Sequence, residues 1–255
     1  MSRSPPSEDA HRPPGKAHRF ARRWARARAM GVAFRGMART VLPARIRWGE
    51  HAQELHIPEG ENLVPDFVNV VLDDDYGLRS LAPPPRTVVD IGANVGLFAL
   101  HARWRFPEAT IHAYEPSPQI ADFARRNAAG RDILVFAEGV ARASGRARMS
   151  GSASSNLAQT RPDLTGDIVL SSFEMVIERI GRRIDLLKID CEGAEWDFMR
   201  DAALFAEVGA IRMEYHLVDD RSLADFAALV DGIGFRVTRL LPSPGFGIAW
   251  LDRAA

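Results

Sequence analysis

The stretch Thr87-Val88-Val89-Asp90-Ile91-Gly92-Ala93-Asn94-Val95-Gly96-Leu97-Phe98-Ala99-Leu100 decides the fold. Thr87–Ile91 is an apolar run of strand length, a glycine-bounded turn follows, and helical spacing runs from Val95 to Phe106, where Pro107 ends it. Such a loop between a buried strand and a helix is the setting of a nucleotide-bearing ligand. Gly92 and Gly96 permit the tight turn and let a ligand lie on the backbone, with the helix N-terminal amides facing it. The loop is not G-x-G-x-x-G, because Asn94 stands where the middle glycine would be. A pyrophosphate needs that close approach, so a dinucleotide fits less well and a dinucleotide-dependent oxidoreductase is the rival reading.

Outward from this loop, strand-length runs alternate with helical segments. Strands are expected at Thr110–Tyr114, Ile133–Phe136, Ile184–Ile189, Ala210–Tyr215, Phe235–Leu241 and Gly247–Leu251. Helices are expected at Pro118–Asn127, Phe173–Ile180, Glu195–Phe205 and Leu223–Ile233. The pattern predicts an α/β fold: a doubly wound, mostly parallel, seven-stranded sheet with helices on both faces. Pro242–Phe246 is too short for a parallel crossover, so the last two strands form an antiparallel hairpin. The polar stretch 142–167 reads as a loop or short hairpin.

In such sheets ligands sit at the carboxyl ends of the strands, so residues just after strands are the site candidates. Glu115 ends the second strand, 19 residues beyond Gly96, where a carboxylate accepts from both hydroxyls of a ribose. Its competing role is in a helix N-cap region. Glu138 follows the third strand and is placed either to meet an adenine amino group or to be a solvated loop acid. The block Ile184-Asp185-Leu186-Leu187-Lys188-Ile189-Asp190-Cys191-Glu192-Gly193-Ala194-Glu195 delivers Lys188, Asp190, Glu192 and Glu195 to the same edge. Acids so close raise one another's pKa and suit a hydroxyl donor, a metal or a protonated base. A salt-bridged strand end is the competing explanation, and Glu195 divides evenly between the site and solvent. Glu214 and His216 follow the fifth strand and face the same cleft, and Tyr76 is a candidate for the acceptor pocket.

Together these residues resemble the FkbM family of methyltransferases. The matching stretches are TVVDIGANVGLFAL (87–100), IHAYEPSP (111–118), the GVA-xxx-G run at Gly139–Gly145, and IDLLKIDCEGAEWDFM (184–199), within about residues 70–220. The resemblance implies a class I methyltransferase fold and methyl transfer from S-adenosyl-L-methionine to a hydroxyl of a sugar, polyketide or other natural-product scaffold. It places cofactor binding on Asp90, Gly92, Asn94, Gly96 and Glu115, and the active site on Lys188, Asp190, Glu192 and Glu195. One departure is visible: Ser172-Phe173 stand where the family often has a leucine-aspartate pair. An alcohol is a weak nucleophile that benefits from a base. Asp190 is the first choice, with Glu192 its partner and His216 the alternative. Asp190, Glu192 and Glu214 are able to ligate Mg²⁺, yet no metal is expected, and no His/Cys pattern supports zinc. A non-catalytic cofactor-binding relative is a further rival.

Charge is distributed unevenly. Residues 1–48 carry 12 Lys/Arg against two acids, a net of +10, and the remaining residues, with 21 basic and 31 acidic, a net of −10. The acidic body argues against a nucleic-acid partner. A cytosine-attacking role for Cys191 also lacks its preceding proline and any Asn-Pro-Pro-aromatic motif. Residues 1–18 read as a disordered basic tail, 19–48 as an Arg-rich amphipathic helix stopped near Pro43, and 49–255 as the methyltransferase domain. The aromatic stripe of that helix is expected to pack on the body as an extra helix and no membrane partner is expected; a lid or dimer contact, and peripheral contact with an anionic membrane through residues 19–41, are the alternatives. No apolar run reaches the roughly 18 residues that span a bilayer. The single cysteine allows no internal disulfide, which fits a cytoplasmic setting. Acceptor choice is expected in 142–167 and before residue 85; oligomeric state is left open.

Overall fold

The structure, a computed structural model, describes residues 15–151, 158–163 and 165–254. The tail assigned to 1–18 therefore lies outside the described residues up to position 14. The chain opens on α1 (Lys16–Ala29), passes through an antiparallel hairpin of β1 (Arg45–Trp48) and β2 (His51–Glu54), and reaches α2 (Val64–Asp66), which continues as π-helical turns over Phe67–Asp73.

The helix expected over 19–48 is thus shorter and turned around. Gly31, at φ +76°, takes the chain out of helical geometry just after Ala29. Beyond it Val32 and Phe34 are buried, and Arg45–Trp48 alternates exposed and buried as a strand. The aromatic stripe does not pack inward: Phe20 is 47% and Trp24 45% exposed. Instead Arg22 and Arg23 meet the half-buried Asp73 at 3.2 and 3.0 Å, and Arg26 donates to the Leu72 carbonyl. Burial pushes the Asp73 carboxyl up, but Arg23 and Arg22 hold it below its ordinary value. Leaving that carboxylate without a cation would cost more than leaving two rings partly wet.

The central sheet follows the expected pattern. β3 (Thr87–Ile91), α3 (Leu97–Arg105), β4 (Thr110–Tyr114), α4 (Pro118–Ala128) and β5 (Ile133–Phe136) form its first half. Four strands come next: β6 (Gly139–Ala141), β7 (Gly145–Gly151), β8 (Ala158–Pro162) and β9 (Ile168–Ser172). They make a separate sheet in the order β6-β9-β7-β8. The hairpin alternative for 142–167 is therefore observed as β7–β8, whereas β9 was not foreseen.

α5 (Phe173–Ile180) and β10 (Ile184–Ile189) match their expected bounds. Ser172 caps α5, its hydroxyl accepting from Met175 N at 3.2 Å, and Phe173 is buried, so the Ser-Phe departure serves a helix start. The helix expected over 195–205 splits into α6 (Glu195–Phe198) and α7 (Ala202–Phe205), because Asp201 caps a new start by accepting from Ala203 N. β11 (Val208–His216), α8 (Leu223–Gly232), β12 (Phe235–Ser243) and β13 (Phe246–Arg253) complete the chain.

The seven strands lie in the order β12-β13-β11-β10-β3-β4-β5. β10, β3, β4, β5 and β11 run parallel, and β13 is antiparallel to both β11 and β12. One apolar core packs α2 and α3 on one face, and a second packs α5 and α8 on the other. The chain leaves β3 toward β4 on one side and returns as β10 on the other, so the carboxyl ends of β3 and β10 flank the switch point where such sheets bind ligands. No helix among the described residues is long and apolar enough to cross a membrane.

Candidate active site

At the switch point Lys188 lies opposite Asp90 in register, and Asp190 N donates to Ile91 O at 3.0 Å. One residue further the two chains almost touch. A Cβ on Gly92 would sit 1.6 Å from the Asp190 carbonyl oxygen, and Gly92 has φ +72°, so no other residue fits there. Both Gly92 N and Ala93 N donate to Tyr114 O at 2.9 Å, which fixes the loop to β4. Asn94, also left-handed at φ +49°, donates its N–H to Glu115 Oε2 at 2.9 Å.

Lys188 ties the loop to β10. Its ammonium is 3.1 Å from Asp90 Oδ1 and 3.5 Å from Asp190 Oδ2, and it donates to Gly92 O at 2.5 Å and Ile91 O at 3.3 Å. The contact with Asp90 is an ion pair rather than an aligned hydrogen bond. Burial pulls the lysine down, but Asp90 and Asp190 hold its pKa above the ordinary value. Burial likewise raises Asp90, against the pull of Lys188.

Beside this pair stands a carboxylate-ringed histidine. His216 Nε2 is 3.3 Å from Glu192 Oε2 and 3.5 Å from Glu214 Oε1, and its Nδ1 is 3.3 Å from Glu195 Oε1. Burial lowers the imidazole, but Glu195, Glu214 and Glu192 lift it to about 10, so it is an imidazolium at neutral pH. Burial raises Asp190 to about 6, with Lys188 opposing and Glu214 adding to the rise. Burial also raises Glu192 to about 7, opposed by His216 and reinforced by Asp190. One ligand atom each from Asp190, Glu192 and His216 lie within 4.8 Å of one another, close enough to chelate a divalent cation.

These groups open into a cavity of about 530 Å³. Gly92–Val95 form one wall, and Lys188, Asp190, Glu192, Glu214 and His216 form the floor. Asp66, Asn69 and Val70 of the helical turns before β3, with Asp75 and Tyr76, form a second wall, and the β12–β13 hairpin contributes Leu241 to Ser243 and Phe246 to Ile248. Tyr76 is buried, with its hydroxyl pKa raised first by burial and then by Asp190 and Glu214. Trp250 fixes this wall by donating to Asp75 O at 2.6 Å. The 142–167 region, expected to hold acceptor choice, supplies none of the lining among the described residues; the hairpin takes its place.

The structure therefore brings together Gly92, Asn94, Lys188, Asp190, Glu192, Glu214 and His216, with Asp90 directly beneath. Gly96 opens α3 at φ +86° behind the loop. Glu115 does not line the cavity: its carboxylate accepts from Asn94 N and Ser117 N, both at 2.9 Å, and burial raises it to about 7. Glu138 does not line this cavity: it is held by Arg179 at 2.8 Å and by the Ser171 hydroxyl, and stays partly exposed. Glu195 is not solvent-facing but fully buried, accepting from Gly193 N at 2.8 Å and His216 N at 2.9 Å. Its role was hidden because its partner is 21 residues away in sequence.

Residues 90–237, more than half of the chain, match the Methyltransferase FkbM domain. Methyltransferase sdnD of Sordaria araneosa is 26% identical over 232 residues, covering 74% of this chain and 83% of that protein. The 31-O-demethyl-FK506 methyltransferase FkbM of Streptomyces tacrolimicus is 29% identical over 193 residues, covering 60% and 74%. Among solved structures, precorrin-6y C5,15-methyltransferase from Geobacter metallireducens GS-15 superposes at a TM-score of 0.46 with 14% identity, over 72% of this chain and 87% of that one. S-adenosyl-L-methionine is the methyl donor typical of such proteins. With β3 delivering the loop and β10 the Lys188–Glu195 block to one cleft, this chain belongs to the FkbM methyltransferase family.

Proposed function

We propose that this protein transfers a methyl group from S-adenosyl-L-methionine to a hydroxyl oxygen of a small-molecule acceptor, such as a sugar or natural-product intermediate, and does not act on nucleic acid. The observation carrying this reading is that Asp190, Glu192, Glu214 and His216 meet in the cavity that the Gly92–Val95 loop also lines. A cavity of about 530 Å³ is of the size that holds small ligands, and its several carboxylates suit a cationic sulfonium. When bound, S-adenosyl-L-methionine supplies an electrophilic methyl group. The loop Gly92–Val95 is assigned its seat, with Glu115 holding that loop in shape through Asn94.

The other half of the reaction falls to the floor residues. Asp190, ionised above pH of about 6, accepts the proton of the acceptor hydroxyl. Glu192 receives a hydrogen bond or shares that proton. Lys188 keeps Asp190 in place, and His216, an imidazolium fixed by Glu195, offsets the charge of Glu192 and Glu214. His216 thus acts as an anchor and not as the base. Because a carboxylate faces each ring nitrogen, both nitrogens carry protons. No resident metal is assigned; a cation at Asp190, Glu192 and His216 would have to displace the proton on Nε2. The apolar wall of Val70, Tyr76, Phe246 and Ile248 suits a carbon-rich acceptor body.

Thermal shift with S-adenosylhomocysteine against NAD tests the donor, and labelled S-adenosyl-L-methionine with a panel of hydroxylated acceptors tests the transfer. Stabilisation by S-adenosylhomocysteine alone and label in an acid-stable ether are expected. Stabilisation by NAD alone, or label appearing only on nitrogen, carbon or RNA, would overturn the assignment.

A further inference from the structure

The N-terminal segment is not used by the methyltransferase site, and its geometry is unusual. Residues 15–49 contain ten Lys/Arg and no acidic residue. In most surface helices the apolar stripe turns to the body and the charges turn to water. In α1 three arginines share the inward face with the buried Ala27. Arg22, Arg23 and Arg26 face the body through Asp73 and the Leu72 carbonyl. The outward side carries Phe20 and Trp24, one turn apart and nearly half exposed, among the exposed Lys16, Arg19 and Arg28.

The ring of Phe20 rests on buried Phe34 at 5.5 Å, and the Arg28 guanidinium lies 5.2 Å from the Trp24 ring. Beyond Phe34 the chain exposes Met37 and Val41, the latter at 81%, flanked by exposed Arg35 and Arg39. With α1 pinned to Asp73 by Arg22 and Arg23, Trp24 and the outer part of Phe20 stay open to solvent.

We propose that this face docks on an anionic phospholipid surface, with Phe20 and Trp24 entering the headgroup boundary and the surrounding arginines meeting lipid phosphates and carboxylates. Charge and shape together select this partner. An interface takes up aromatic rings while arginines reach outward to anionic headgroups. A nucleic acid offers phosphate but no apolar layer for Phe20, Trp24 and Val41, and the −10 body would oppose a long polyanion. An acidic bilayer demands contact through one face only, and the basic residues of 15–49 supply it.

Co-sedimentation of the full chain with phosphatidylserine/phosphatidylcholine vesicles, against phosphatidylcholine alone, tests this without reference to activity or to the proposed reaction. Binding to the anionic vesicles is expected at least tenfold above the neutral ones, and weakened by salt. Phe20→Ser with Trp24→Ser, and separately Arg19→Glu with Arg28→Glu, should each lower it at least tenfold while leaving the melting temperature within a few degrees. Equal binding to neutral vesicles, no binding, or aromatic variants that bind like the parent would overturn the proposal. So would loss of a dimer by the aromatic variant in size-exclusion chromatography without loss of vesicle binding, since the face would then be a contact between copies.

Discussion

Glu195→Gln isolates the buried carboxylate that holds His216. All four of its neighbours donate: Gly193 N at 2.8 Å and Cys191 Sγ at 3.5 Å to Oε2, and His216 N at 2.9 Å and Nδ1 at 3.3 Å to Oε1. Glutamine has the same shape but turns one acceptor into a donor, so either Gly193 N–H or His216 N–H loses its partner in a fully buried position. An unmade buried hydrogen bond costs about 1–3 kcal/mol, and those to a charged acceptor sit at the upper end, so the variant should lose about 2–4 kcal/mol. The second effect is electrostatic. Charges about 4 Å apart attract by about 4 kcal/mol at an effective dielectric near 20, a ceiling of about 3 pK units. Glu192 and Glu214 remain at the opposite ring edge, so the His216 pKa, about 10 in the parent, should fall by about 1–2 units. Because that pKa is raised in the folded state, its stabilisation is complete below the free-histidine value of about 6.5 and disappears as pH rises through about 10. In the variant the loss should be smaller and complete at a lower pH. Urea denaturation across pH and an NMR titration of the His216 ring read both effects. A variant within about 0.5 kcal/mol of the parent, with His216 titrating unchanged, would refute the anchoring role.

Asp190→Asn should cut turnover by about 10²-fold or more while S-adenosylhomocysteine affinity, read by calorimetry, stays within about twofold. In the parent, turnover should fall as pH drops through about 6 because burial raises Asp190; the variant should lack that limb, and equal turnover would remove Asp190 from the mechanism. Glu115→Ala frees Asn94 N from the loop and should weaken S-adenosylhomocysteine at least tenfold, about 1.4 kcal/mol or more. Gly92→Ala places a Cβ 1.6 Å from the Asp190 carbonyl, so thermal melting should show a loss above about 3 kcal/mol and calorimetry no cofactor binding. Turnover should be unchanged by EDTA; loss with EDTA and recovery with Mg²⁺ would assign Asp190, Glu192 and His216 to a cation instead.

What was legible in the sequence was local. β5, α5 and β10 carry their own apolar runs and end signals, and their bounds follow directly. The loop at Gly92 and the block at Lys188 were legible as site elements because strand ends of this fold face one cleft. What stayed hidden depends on distant partners. Asp73 pins α1, yet no spacing rule links it to Arg22 and Arg23, about 50 residues earlier. Glu195 divides evenly between site and solvent in the sequence because Gly193 N and His216 become its partners only after β10 and β11 pair. Polar composition obscured β7 and β8, whereas β6 and β9 are short apolar runs that pair with each other across a long stretch of chain. Glu138 follows its strand as a ligand residue would, but Arg179 of α5 reaches it first.

The floor of the cleft explains why the donor and acceptor halves of the site form one unit. Lys188 holds Gly92 O and Ile91 O on one side and Asp190 on the other, so the loop and the proposed base cannot shift independently. Five carboxylates, those of Asp90, Asp190, Glu192, Glu195 and Glu214, gather around two cations, Lys188 and His216. Burial raises Asp90, Asp190 and Glu192, and neighbouring carboxylates add to the rise of Asp190 and Glu192. A ligand bearing positive charge relieves the excess, whereas an uncharged one of the same shape does not. A sulfonium donor carries that charge and the thioether left after transfer has lost it. On the proposed reading, the carboxylate surplus favours binding of the charged donor and release of its neutral product.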